Sequence, residues 1–358
     1  MTTADLVRQG AVSASRGPAV RRSRRSRGFV RGLAALTGLF ATLAPGGGRA
    51  QELPDSSEVP EGAVFLLLPV GAHGVGMGRA MTALHSEEAA FWNPAGLAGQ
   101  SERRTMVYSG EQLGPVIALN MLYPWSRVGT LGLSYFLLDI GDQEIKGHDD
   151  TVLGSITTRN HLGIASFATS LPGGIQVGVN VKTVQHRVGC RGQCEDLAST
   201  RSAYAADVGV QVQPFKELPL RFGWMLAHAG TEFRTRNEDR SDPLPTRVRF
   251  AIAYEVLHRF VDDGTMDLWV AVEAEDRARD PGSPAVHVGL NFSAAGMVDV
   301  RAGYVHVRAG YAEGQLDGAT VGLGFRFDRF DLNLAKYLER SIVTGEGQPV
   351  HVSLGVSF

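Results

Sequence analysis

Val350-His351-Val352-Ser353-Leu354-Gly355-Val356-Ser357-Phe358 is the stretch that decides the fold. Successive side chains of an extended strand point to opposite sides, so Val350, Val352, Leu354, Val356 and Phe358 share one face. His351, Ser353, Gly355 and Ser357 occupy the other. The same period of two places Ile175, Val177, Val179 and Val181 opposite Gln176, Gly178, Asn180 and Lys182. It recurs through Val248, Phe250, Ile252, Tyr254 and Val256, and through Val321, Leu323, Phe325 and Phe327. From Thr105 onward the pattern predicts fourteen strands: 105–111, 115–124, 128–138, 160–171, 175–187, 202–213, 219–229, 246–256, 266–276, 284–293, 298–306, 318–327, 329–338 and 349–358.

A soluble sandwich also alternates, so three further features choose the architecture. Most segments are about ten residues long, the length a tilted strand needs to cross a bilayer. Connection lengths also keep parity. Trp125-Ser126-Arg127, Pro172-Gly173-Gly174, Ala294 to Met297 and the break at Asp328 are tight, whereas 139–159, 188–201, 230–245, 307–317 and 339–348 read as long polar loops. The short link at 112–114 and the longer one at 257–265 depart from the trend. Long outer loops and short periplasmic turns are the habit of bacterial outer-membrane barrels. Finally, the closing strand ends on Phe358, which resembles the C-terminal assembly signal of such barrels and implies contact with barrel-assembly machinery. Phe222, Trp224, Phe292, Phe325, Phe327 and Phe330 sit near the expected periplasmic turns, as an aromatic girdle requires. The reading is all-β: a transmembrane antiparallel barrel of about fourteen strands over 105–358, surrounded by outer-membrane lipid.

The polar face then lines the lumen. It carries Lys182, Asp207, Arg221, Arg247, Arg249, Glu255, Asp267, Glu273, Glu275, Asp299, Arg301, Arg326 and Asp331. Turned to lipid, such a charge costs up to about 2–4 kcal/mol at mid-bilayer, which fixes the strand register. Mixed signs predict a salt-bridge network ahead of an ion-selective pore.

Composition agrees. Glycine is abundant at 44 of 358 residues, charged residues make up 20%, and the net charge of -2 gives nucleic acid no attraction. No apolar run beyond the N-terminal region reaches the length of a membrane helix. Residues 1–50 read as a cleavable export signal, with a basic stretch from Arg21 to Arg31, an apolar core Leu33–Leu43 and a small-x-small site at Gly48-Arg49-Ala50. In an exported chain, Cys190 and Cys194 predict a small disulfide loop, since two lone thiols without nearby histidines cannot close a zinc site.

Between signal and barrel, over 51–104, lie Gly71-Ala-His-Gly-Val-Gly-Met-Gly-Arg79 and Ser86-Glu-Glu-Ala-Ala-Phe-Trp-Asn-Pro-Ala-Gly-Leu97. Gly74, Gly76 and Gly78 lack the strand context and the Lys-Ser/Thr of a phosphate loop, so they predict close packing inside the barrel instead. Ser86 is expected to cap a short helical turn through Ala89 and Ala90, with Glu87 and Glu88 at its start and Asn93-Pro94 ending it. The motif from Val75 to Gly99 resembles the N-terminal signature of the PorV/PorQ group within the FadL-like superfamily of outer-membrane proteins. That resemblance implies a fourteen-stranded barrel whose N-terminal segment plugs the lumen. The plug and lumen motif would comprise Gly76, Gly78, Arg79, Glu87, Glu88, Trp92, Asn93, Pro94, Ala95 and Gly96.

Nothing in the sequence calls for catalysis or a cofactor. His161, His186, His228, His287, His306 and His351 are scattered, no Gly-x-Ser-x-Gly elbow occurs, and Asp149-Asp150 and Asp262-Asp263 do not build an EF-hand. Two functions survive. One is passive transport of a hydrophobic or amphipathic small molecule; the other is a secretion or surface-scaffold role in binding exported proteins.

Overall fold

The computed structural model describes residues 61–194, 198–215, 217–235, 241–259, 265–307, 317–339 and 350–358. The expected export signal lies outside the described residues.

Among the described residues, sixteen strands form one antiparallel sheet. The first seven are β1 Arg104–Glu111, β2 Pro115–Trp125, β3 Gly129–Lys146, β4 Val152–Leu171, β5 Ile175–Gly192, β6 Ser199–Val212 and β7 Leu220–Gly230. Two short strands, β8 Phe233–Thr235 and β9 Ser241–Asp242, form a side hairpin against β6. The rest are β10 Arg247–Glu255, β11 Met266–Arg277, β12 Ala285–Ala294, β13 Val298–His306, β14 Gly318–Phe327, β15 Phe330–Tyr337 and β16 His351–Ser357. Setting the hairpin aside, every strand pairs with its sequence neighbours, and β1 pairs β16 from Arg104↔Ser357 to Ser109↔Val352. The sheet is therefore a closed fourteen-stranded barrel with no free edge, which satisfies every ladder without water.

Alternation drives the closure. Ile117, Leu133, Val181, Phe250, Val272 and Leu323 are exposed on the outer face, while their chain neighbours are buried inward. Phe222, Phe325, Phe327 and Phe330 are exposed near the tight-turn end, joined there by Tyr123 and Trp125. Phe358 is also exposed, and its N–H donates to the Arg103 carbonyl at 3.0 Å.

The strands match the sequence reading to within a residue or two, except at the long-loop ends of β3 to β6. β3, β4 and β5 run 18, 20 and 18 residues, against 7 to 14 in the other barrel strands. Segments 139–159 and 188–201, expected as long loops, are thus largely strand. A bulge between Asp139 and Gly141 lets the β3–β4 ladder continue to Lys146 and Val152. The reason is chemical. Beyond Leu138 both faces meet water, so apolar alternation ends while pairing goes on through polar contacts such as Arg159 Nε to Asp139 Oδ2 at 2.8 Å and Thr157 to Asp142. The extension adds on the order of 25 Å of extended chain. Cys190 and Cys194 are disulfide-bonded near the tip of this blade.

Candidate functional site

The lumen is occupied by residues 61–103. At the long-loop end, Arg247 holds Glu61 through two bonds of 2.7 and 2.6 Å, and the Gly62 N–H donates to Pro243 O at 2.8 Å. The chain then descends through a 3-10 turn at Val64–Leu67, helical turns at Ala72–Gly76 and Ala89–Trp92, and a 3-10 stretch at Pro94–Gly99. It joins β1 at the tight-turn end.

Such a path inside a barrel needs small residues on both sides of each contact. A Cβ on Gly322 would lie 3.0 Å from the Gly76 Cα, and one on Gly303 would overlap the Gly78 backbone. Gly178 abuts Pro94 and Ala95, and Gly209 abuts the Asn93 side chain. The inward glycines of the alternating pattern are therefore seats for the N-terminal segment. Gly78 also has a φ of 57°, a left-handed conformation for which glycine is suited.

The motif residues fasten the segment to strands far apart in sequence. Asn93 Nδ2 donates to Thr82 O at 2.7 Å, and its Oδ1 accepts from the Ala95 N–H at 3.1 Å, capping the turn that Pro94 begins. Gln211 of β6 donates to Thr82 O and Leu84 O, and Asn180 of β5 to Ala90 O. Thr82 donates to Glu273 of β11 through both its N–H and its hydroxyl, each at 2.8 Å. Trp92 Nε1 donates to Val70 O at 3.0 Å, and the Arg79 guanidinium to Leu67 O at 2.6 Å.

Helix Ala89–Trp92 forms as expected and ends before Asn93, but its two acids serve elsewhere. Ser86 Oγ accepts from the Glu88 N–H, and no side chain caps the helix. Glu87 pairs with Arg104 of β1 at 2.9 Å. Glu88 accepts the His73 and Gly74 N–H groups at 3.1 and 2.9 Å, the first donors of helix Ala72–Gly76, and the Ser353 hydroxyl at 3.0 Å. Burial outweighs these donors and pushes its carboxyl up to about 7.

All the charges assigned to the lumen face inward, and most are paired. Lys182 meets Asp207 at 2.6 Å, Arg249 meets Glu275 at 2.6 Å, Arg301 meets Asp299 at 2.7 Å, and Arg326 meets Asp331 at 2.7 Å. Asp207 also takes the His228 N–H at 2.8 Å and Asn180 Nδ2 at 2.7 Å, at a bulge where the β6–β7 register shifts. Glu273 is held by neutral Thr82 donors.

The lumen is not polar throughout, contrary to the sequence reading. Its long-loop half contains an apolar chamber in which Phe136, Leu138, Leu162, Ile164 and Val184 pack against Phe65, Leu66 and Val70. Lys182 and His228 reach its floor. About 20 Å³ of empty space remains there, about enough for one water. In β3 the inward face changes from Gly132 and Ser134 to Phe136 and Leu138, beside outward Tyr135 and Leu137, and that apolar run was the available signal. A second cavity, of about 170 Å³, opens at the tight-turn end beside His85, Gln176, Gln211 and Arg221. On the outer wall, Phe222, Trp224, Phe250, Ile252 and Val272 border an apolar groove.

Similarity to known structures is one of fold. The toluene transporter TodX of Pseudomonas putida matches at a TM-score of 0.52 and 11% identity, over 80% of this chain and 96% of that one. The monoaromatic hydrocarbon channel CymD matches at 0.54 and 12%, over 84% and 99%. The Ralstonia pickettii toluene transporter TbuX matches at 0.54 and 12%, over 80% and 98%. No family model and no curated protein sequence matches. The fold is thus the fourteen-stranded architecture that the FadL-like resemblance implied.

Proposed function

We propose that this protein is an outer-membrane barrel for passive uptake of hydrophobic or amphipathic small molecules, with residues 61–103 acting as the plug. One observation carries the reading: in the long-loop half of the lumen the walls of β3, β4 and β5 turn large apolar side chains inward to form an apolar chamber. A structural filler has no need of Phe136, Leu162, Ile164 and Val184 on inward positions, whereas a hydrophobic solute entering from the long-loop end would partition there. Because the chamber is nearly filled, solute entry requires residues 63–70 to yield. Exit runs past the plug to the tight-turn end or through the wall toward the apolar outer groove. The similar fold of the toluene and monoaromatic hydrocarbon transporters supports this direction.

The test is uptake of a lipophilic aromatic tracer into proteoliposomes. Ile164→Glu puts a charge in the chamber and should abolish uptake, while Leu133→Ala, on the outer face, should leave it intact. Equal uptake by Ile164→Glu would sink the proposal.

A second reading is a PorV-like scaffold that binds exported proteins, and the projecting β3–β4–β5 blade with its disulfide favours it. Pull-down of a defined exported partner that is lost when residues 142–157 are replaced by a short turn would support that role.

A further inference from the structure

We infer that the cavity at the tight-turn end is a binding site for a small organic carboxylate, with Arg221 as its anchor. Arg221 differs from the other inward arginines. Arg104, Arg247, Arg249, Arg301 and Arg326 each hold a carboxylate at 2.6 to 2.9 Å. Arg221 makes no hydrogen bond or ion pair with any described residue, and its Nε is buried without a partner. What holds it is the Trp269 ring, 4.5 Å below the guanidinium carbon. Glu255, the register partner of Trp269, faces the same end without reaching ion-pair distance.

Stacking on a ring fixes the guanidinium plane and leaves its edge for an oxyanion, which suits a planar carboxylate. The surroundings fit an organic anion better than an inorganic one. Gln176 and Gln213 offer amides, Leu171, Ile175 and Val212 line the rim, and the volume of about 170 Å³ suits a molecule of benzoate size. His85, whose ring is bonded to Gln176, is held down to about 4 by burial and by Arg221, so it stays neutral near pH 7 and adds no second cation. The direction of traffic rests on the uptake reading, in which this cavity is the vestibule a solute reaches last; the binding itself does not.

Sodium benzoate titrated into the detergent-purified full chain, followed by calorimetry and tryptophan fluorescence, tests the site. Arg221→Gln should weaken benzoate at least about tenfold, the loss of a charge-assisted pair, and Arg221→Lys should weaken it less. Benzyl alcohol should bind both forms alike. The benzoate-induced fluorescence change should vanish in Trp269→Phe, which keeps a ring under the guanidinium and requires no change at Arg221. Undiminished benzoate binding by Arg221→Gln, a signal that survives in Trp269→Phe, no binding at all, or equal binding of inorganic phosphate would each overturn the inference. Benzoate binding that persists in a protein without tracer uptake would refute the uptake reading alone.

Discussion

Replacing Lys182 by Met asks whether the lumen is dry. The ammonium and its partner Asp207 are 1% and 0% exposed, so removing the cation strands a carboxylate away from water. Breaking a buried pair by deleting one member costs about 3–5 kcal/mol. The lower part of that range is expected here, because Asp207 keeps two donors, the Asn180 amide and the His228 N–H. Taking about 3 kcal/mol, the unfolding equilibrium moves by about two powers of ten. The double variant Lys182→Met, Asp207→Asn removes the charge left behind and should recover most of the loss. Urea unfolding of the barrel in lipid vesicles, followed by tryptophan fluorescence, measures all three proteins. A single-variant cost below about 1 kcal/mol, the range of solvent-exposed pairs, would mean that water reaches Lys182. The burial of the Lys182–Asp207 pair would then not hold in solution.

Other perturbations test the seating of residues 61–103. In Gly209→Ala the new Cβ overlaps Asn93 Oδ1, so the segment should lift, with a stability loss of about 1–3 kcal/mol and faster proteolysis between residues 72 and 98. Glu88 binds more protons in the folded than in the unfolded state between its ordinary value and about 7, so its contribution falls as pH rises through that interval. Hydrogen exchange at Gly74 should accordingly quicken from pH 5 to pH 8 beyond the intrinsic base-catalysed trend, and Glu88→Gln should remove the excess. Cys190→Ser with Cys194→Ser should lower stability by less than the usual ~2–4 kcal/mol, because the ring is short; a larger shift in urea midpoint would give the blade tip an unforeseen role.

The barrel was legible because its signal is local. Apolar residues outside and polar or small ones inside write a period of two into nearly every strand, and the inward glycines at 178, 322 and 324 were visible as small residues without revealing that Pro94 and Gly76 would rest against two of them. The ends of β3 to β6 were illegible for a matching reason: once both faces of a hairpin meet water, pairing leaves no apolar trace. The chamber was hidden because Phe136 and Leu138 restore apolar character to the inward face. The fastenings of the segment are long-range facts. Glu61 and Arg247 are 186 residues apart, and nothing in the local sequence of either names the other.

The contacts of Glu87, Glu88 and Ala72 also bear on how the ring closes. Its last seam joins β1 to β16, strands at opposite ends of the barrel sequence, and bringing such distant residues together carries an entropic cost that grows with the logarithm of the intervening length. The segment is continuous with β1, where Glu87 grips Arg104, and through Ala72 and Glu88 it grips Ser353 on β16. One short stretch of chain therefore touches both lips of the seam. Its hold on Ser353 ties β16 to the chain that continues into β1, so contacts within one short stretch help offset the cost of joining the two ends.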